Sequence, residues 1–209
     1  MSTRLELVMA RAAAPHVLRP ATPDDAPRLV TMFERCSPAT RYGRFLAPLQ
    51  HFPAGHLTDV VCSSPVRHSW VIEDGMTGDV VGVGSWFRNG HDAAEVALLI
   101  EDAFQGCGLG TALLEELTAD ARGEGVTTFV ANTLADARHV HRMLRRIGPT
   151  TFEGTGTSRT LHVSLTAADR ALPEARHAQS SGSSSASSDP WVHCRQRPES
   201  PSRHAASAL

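Results

Sequence analysis

Lysine is missing from this chain; all 20 of its basic residues are arginine. A phosphate loop of the Gly-Lys-Ser/Thr type is therefore excluded. Aromatic residues are scarce at 5%, and Tyr42 is the single tyrosine. There is no excess charge of one sign: the formal net charge is −2 and the pI is near 6.6. That balance argues against nucleic-acid or membrane-surface binding. No apolar run approaches the roughly 20 residues needed to cross a bilayer. The segment Met1 to Ala14 has Arg4 and Arg11 but no continuous apolar stretch, so no signal peptide is expected, and the cytoplasm is the expected location. Four cysteines, Cys36, Cys62, Cys107 and Cys194, show no Cys-x-x-Cys spacing. Neither a structural zinc site nor a disulfide framework is expected, and reduced thiols are the expectation.

What is present suffices for one core. The chain has 209 residues and 41% hydrophobic content, enough for a single domain with some chain to spare. Residues 1–15 read as a flexible lead-in and residues 16–166 as the folded domain. Residues 167–209 read as a Ser/Pro/Arg-rich tail that holds too few aliphatics to offset its ordering entropy. Trp191, His193 and Cys194 cluster in that tail, but no further ligands at metal spacing accompany them. No bound metal is expected.

The domain reads as strands and helices in a definite order. His16 to Pro20 is a short strand. Thr22 before Pro23, with Asp24 and Asp25 behind, predicts a helix start, and Leu29, Val30 and Phe33 form its apolar stripe as far as Cys36. Ser37 to Phe45 reads as a linker rich in arginine and aromatics, and Ala54 to Val61 as a short helix. Trp70 to Ile72 and Val80 to Phe87 are predicted strands, and Asn89-Gly90 is a turn. Val126 to Thr133 is a further strand, Ala135 to Ile147 a helix, and Thr150 to Glu153 with Ser158 to Leu165 a last hairpin. One strand–helix–strand unit after a meander predicts a mixed sheet with helices on both faces.

The stretch Ala94 to Leu114 organises the whole. Glu95 to Ile100 is an aliphatic strand, Gln105 to Gly110 reads Gln-Gly-x-Gly-x-Gly, and from Leu109 apolar residues recur at helical spacing. Strand, glycine turn and helix start together make an anion site. Glycines let backbone N–H groups converge, and the first helical turn adds unpaired donors and a positive dipole end. The expected guest is a phosphate or pyrophosphate. A dinucleotide fold would place its first glycine directly after the strand, whereas Glu101 to Phe104 intervenes here.

Gln105-Gly106-Cys107-Gly108-Leu109-Gly110 matches the Gln/Arg-x-x-Gly-x-Gly/Ala signature of the GCN5-related N-acetyltransferases in full. The run from His16 to Leu165 resembles that family throughout. It looks most like bacterial protein-lysine acetyltransferase domains, through Leu18 to Asp25, Ser37-Pro38-x-x-Arg41-Tyr42-x-Arg44-Phe45, Ala94 to Ala97 and Met143 to Gly148. The resemblance implies an α/β layered fold, the GNAT fold. It has a mixed, mostly antiparallel sheet of six to seven strands, helices on both faces and a splayed parallel strand pair.

The resemblance also implies a reaction and a site. Acetyl-CoA is the implied co-substrate, with its pantetheine arm against the backbone near Leu98 and Ile100. Its pyrophosphate would lie on the N–H groups of Gln105, Gly106, Cys107, Gly108, Leu109, Gly110 and Thr111. Asn132 is placed to bond the pantetheine amide, and a backbone N–H near Leu98 or Leu99 would hold the oxyanion. The acceptor is an amine, on a protein lysine or a small molecule, which must lose a proton before attack, and Glu95 is the favoured base. Asp92 and Glu73 are weaker candidates. In a regular strand Glu95, Ala97 and Leu99 share one face, and a bulge, usual in this strand of the family, would change which face Glu95 reaches. Family members often carry a tyrosine four residues before the helix-ending glycine; here that residue is Leu144. This departure raises the alternative of a non-catalytic acyl-CoA sensor. Tyr42 and Phe45 are expected near the acceptor mouth, and either a monomer or a homodimer is compatible with the resemblance.

Overall fold

A computed structural model of the chain describes residues 16–166; the lead-in and tail expected from the sequence lie outside the described residues. Seven strands form one sheet in the order β1-β2-β3-β4-β5-β7-β6. They are β1 (His16–Pro20), β2 (Arg67–Asp74), β3 (Val80–Arg88), β4 (Ala93–Ile100), β5 (Thr128–Leu134), β6 (Thr150–Glu153) and β7 (Ser158–Ser164). Every neighbouring pair is antiparallel except β4 and β5, which run parallel. The connection from β4 to β5 passes through helix α4 (Leu109–Gly123), as a parallel pair requires.

Alternating side chains divide the core between the two faces of the sheet. One layer packs α4 and α5 (Arg138–Ile147) on Ile72, Trp86, Ala94, Val96, Phe129 and Leu161. The other packs α1 (Ala26–Arg35) and α3 (Ala54–Val61) on Val71, Val80, Val83 and Leu99. Trp86 is fully buried, and its indole Nε1 donates to Asp120 at 2.7 Å, so its one polar atom is satisfied.

Most boundaries fall where local chemistry puts them. Residues β1 and α3 match the sequence reading end to end, and Gly125, in the left-handed region at φ 76°, closes the turn after α4. Two readings need correction. Residues 38–45 form a helix, α2 (Pro38–Phe45), and not a linker. Ser37 caps it by accepting from the Thr40 N–H at 3.2 Å, Pro38 sits in its first turn, and Leu46 ends it at φ 52°. The helix α5 begins at Arg138, not Ala135, because Leu134 still belongs to β5 and residues 135–137 make the turn.

Candidate functional site

The glycine turn is built by backbone conformation. After β4 a short 3₁₀ turn (Asp102–Phe104) leads into Gly106 at φ 76° and Gly108 at φ 86°. Both lie in the left-handed region that costs a residue with a Cβ about 1–2 kcal/mol. Gly108 is the N-cap of α4, so its loop delivers the chain directly to the helix start, where the N–H groups lack intrahelical acceptors. Among the described residues Cys36 and Cys62 are free thiols.

The parallel pair beside the turn opens along its length. Strands β4 and β5 pair only at Ala93↔Thr128, Ala94↔Phe129 and Glu95↔Val130. Beyond Glu95 they diverge. Hydrogen-bond parity identifies the backbone that faces the opening. Asn89 N–H donates to Ala93 and Glu101 N–H donates to Val81, which bracket the β3–β4 ladder, and the register between them is continuous. Residues 93, 95, 97 and 99 are therefore bonded to β3, and Leu98 and Ile100 present their N–H and C=O groups to the opening. Leu99 turns its N–H towards β3, so of the two oxyanion donors expected from the resemblance only Leu98 points into the gap. The same argument on β5, from Ala135 N–H to Thr157 and Leu165 N–H to Thr127, leaves the main chain of Asn132 facing the gap. The Asn132 side chain is turned to β7, where its Oδ1 accepts from the Thr160 hydroxyl at 2.8 Å.

Gln105 fastens the glycine turn to this opening. Its Nε2 donates to the Ile100 carbonyl at 2.9 Å and to the Thr40 hydroxyl at 3.1 Å. Asp102 completes a clasp onto α2: it accepts from Ser37 N–H and the Ser37 hydroxyl, each at 2.7 Å, and from the Thr40 hydroxyl at 2.8 Å. Burial pushes the Asp102 carboxyl up, but these hydrogen bonds outweigh it and hold its pKa below the ordinary value. Loop, strand end and α2 thus form one hydrogen-bonded unit.

Glu95 lies on the opposite side of β4 from α4. The register of β4 on β3 runs unbroken from Ala94 to Ile100; the irregularity in this part of the sheet falls between Ile72 and Glu73 on β2. Without a bulge, Glu95 stays on the face of Ala97 and Leu99, towards α1, α2 and α3, and it is exposed. On that face a small cleft is lined by Arg44, Phe45, His56, Ser85, Ala97 and Leu99. The Arg44 guanidinium stands 4.7 Å over the Phe45 ring and donates to His56 Nε2 at 3.0 Å. Guanidinium can only donate, so Nε2 is the acceptor and the His56 proton belongs on Nδ1. Burial, with Arg44 second, pulls the His56 pKa down to about 4, so the ring is neutral at pH 7. Burial also pulls Arg44 down to about 10, partly opposed by the Glu95 carboxylate; it stays charged at pH 7.

The other carboxylates are placed elsewhere. Glu73 pairs with Arg19 at 3.0 Å and Arg28 at 2.9 Å, beside β1. Asp92 accepts from the Thr127 hydroxyl at 2.9 Å, in the turn before β4. Leu144 is 1% exposed in the core, so the last helix offers no hydroxyl there. Tyr42 is 41% exposed on α2. His56 was not legible as a site residue: it stands 39 positions before Glu95, and only the packing of α3 brings it to the cleft. Among the described residues no cluster of three or more His, Cys, Asp or Glu could hold a metal ion, and no helix is long and apolar enough to cross a membrane.

Comparison with known proteins fits this geometry. Residues 28–148, more than half of the chain, match the model of the Acetyltransferase (GNAT) family. The chain is 31% identical over 135 residues to Acetyltransferase Pat of Mycolicibacterium smegmatis, covering 63% of this chain and 40% of that protein. It therefore spans about two-fifths of the length of this relative. The crystal structure of the GNAT domain of S. lividans PAT superposes with a TM-score of 0.64 at 30% identity, over 71% of this chain and 89% of that one. The fold is also shared with Salmonella typhimurium yncA, solved with its cofactor acetyl-CoA, at TM-score 0.59 and 20% identity over 77% of this chain and 98% of that one. A splayed parallel pair, a glycine turn capping the intervening helix and a family match over most of the domain converge: this chain belongs to the GNAT family of acetyltransferases.

Proposed function

We propose that the protein transfers an acetyl group from acetyl-CoA to a primary amine, on a protein lysine or a small molecule, by direct attack in a ternary complex. The observation that carries this reading is the opening between β4 and β5. Leu98, Ile100 and Asn132 face it with main-chain donors and acceptors, and the glycine turn closes one end. An extended, amide-bearing arm with a pyrophosphate at one end suits such a slot, because the arm continues the sheet and the phosphates meet a helix N-terminus. The Leu98 N–H is available to a carbonyl oxygen gaining negative charge.

Glu95 is the general base of this reading. It stands where the two strands part and is exposed, so an incoming ammonium reaches it through water or directly. The Arg44–His56 cleft, on the same face, is the mouth through which the acceptor enters. A thiol-release assay with acetyl-CoA and a panel of lysine peptides and small amines tests the proposal. Turnover with at least one acceptor, reduced about 100-fold or more by Glu95→Gln, is the expected result. Turnover that survives Glu95→Gln unchanged sinks the assignment of the base.

A second reading follows from Leu144. With no hydroxyl in the last helix to protonate a departing thiolate, the protein would bind acyl-CoA as a non-catalytic sensor. It predicts saturable acetyl-CoA binding with no thiol release from any acceptor. The alternative cytoplasmic, monomeric or dimeric states are read by fractionation and by light scattering of the full chain.

A further inference from the structure

Arg44 differs from the other arginines on α1 and α2. Arg35 pairs with Glu101 at 2.9 Å, and Arg41 spends its guanidinium on the main-chain carbonyls of Glu34, Cys36 and Gln50. Arg44 is half-buried and forms no ion pair among the described residues; its side-chain hydrogen bond goes to neutral His56. A guanidinium carries five N–H donors, so most of them are left over. A cation held partly out of water without an anion costs free energy that a bound anion would offset. The carboxylate that acts on it through space is Glu95. The two charges flank the cleft. Arg44 and Ala97 both line it, and Glu95 precedes Ala97 by one alternation on the same face of β4, about 7 Å along the strand. Glu95 lies opposite Phe87, whose ring is 5.6 Å from that of His56. Between the charges the lining is apolar and aromatic, with Phe45, Phe52 and Leu99.

We propose that this cleft takes a free amino acid as the acceptor, its carboxylate held by Arg44 and its amine presented to Glu95, so that Arg44 sets the acceptor class. The inference rests on the acetyl-transfer reading above. A zwitterion complements a cation and an anion set one strand step apart. Its amine and carboxylate share one carbon, and a charge-assisted hydrogen bond of about 2.8 Å at each end lets it bridge Glu95 and Arg44. The planar fork of arginine bonds both oxygens of a carboxylate at once. The apolar lining suits an apolar side chain. In the reaction the amine nitrogen bonds the acetyl carbon as the C–S bond breaks, the amine proton passes to Glu95, and the sulfur leaves as the thiolate. The carboxylate stays unchanged on Arg44. A lysine side chain by itself offers Arg44 no anion to hold.

The test is thiol release from acetyl-CoA by the full chain, with leucine and phenylalanine as acceptors against isoamylamine and phenethylamine, the same molecules without the carboxylate. Hydrogen bonds to a charged group predict kcat/KM about 10- to 100-fold higher for each amino acid than for its matched amine, carried mainly by KM. In Arg44→Gln that advantage should shrink to within about threefold, and Arg44→Lys should restore part of it. Calorimetric binding of acetyl-CoA reports whether each variant is folded. In the unaltered protein, isovalerate should compete with leucine and isovaleramide should not, a readout that needs no variant. Matched amines turned over as well as the amino acids, or an advantage that persists in Arg44→Gln, overturn the subsite and leave the acetyl-transfer reading standing. A preference confined to lysine peptides with an acidic neighbour overturns the amino-acid assignment, and so does an Arg44-dependent preference for succinyl-CoA over acetyl-CoA, which would place the anion on the donor. No thiol release with any acceptor overturns the subsite and the acetyl-transfer reading together.

Discussion

Gly108 offers the sharpest test of the cradle. It sits at φ 86° and caps α4, so replacing it with alanine asks a residue with a Cβ to hold a left-handed conformation. The cost is about 1–2 kcal/mol. That sum has two destinations. If the turn keeps its shape, the whole cost falls on folding and the melting temperature drops by about 2–8 °C for a domain of this size. If the turn relaxes to escape the strain, folding is spared, but the N–H groups no longer converge, and acetyl-CoA affinity falls about 5- to 30-fold. Thermal unfolding with and without acetyl-CoA, together with calorimetric Kd values, separates the two. The losses in stability and binding should add up to roughly the same total whichever path the variant takes. Gly108→Asn should lose less than Gly108→Ala, because asparagine tolerates this region better. An alanine variant that matches the original protein in both melting and affinity would refute the claim that the conformation of Gly108 shapes the site.

Three further expectations follow from contacts elsewhere. Burial raises the Asp25 carboxyl, but hydrogen bonds from Arg19 and Thr22 outweigh it and bring its pKa from 3.8 to about 2. The stabilisation is complete above about pH 4 and is lost as the pH falls through about 2, so Asp25→Asn should cost about 2 kcal/mol in urea melts at pH 7 and less at pH 3; an equal cost at both would refute it. Gln105→Ala removes bonds to Ile100 and Thr40, and steady-state assays should show KM for acetyl-CoA raised about 5- to 10-fold with kcat little changed. A fall in kcat alone would contradict the anchoring role. A Cβ on Gly148 would overlap the main-chain oxygen of Ser164, so Gly148→Ala should lose about 3 kcal/mol or more, read by thermal unfolding.

The sequence carried the local parts of this site and missed the tertiary ones. The glycine turn was legible because its conformations require a residue type. Gly106 and Gly108 stand at positive φ, and the helix start behind them is marked by apolar spacing. The side of β4 that Glu95 occupies was legible from strand parity once no bulge intervened. Helix α2 was misread although Ser37-Pro38 is a start signal, because its arginines and Gly43 mask the apolar period and none of its residues is fully buried. The point where β4 and β5 part could not be read at all. It depends on how two strands diverge after Glu95, which no run of residues encodes by itself. The Arg44–His56 contact is equally hidden, joining α2 to α3 across a turn.

The opening between β4 and β5 gives the sheet two edges in its middle instead of at its rim. Such edges are normally a hazard, since any extended chain can pair with them. Here they lie inside the domain, flanked by the two hydrophobic layers, and the two strands pair at only three positions. A ligand bridging them would act as a removable eighth strand. The stability of the protein then becomes a function of the concentration of that ligand: at 100 times its Kd, the fold gains about 2.7 kcal/mol. The protein should be most open to proteolysis and strand exchange when acyl carriers are scarce, and amide hydrogen exchange at Leu98, Ile100 and Asn132 would follow that supply directly.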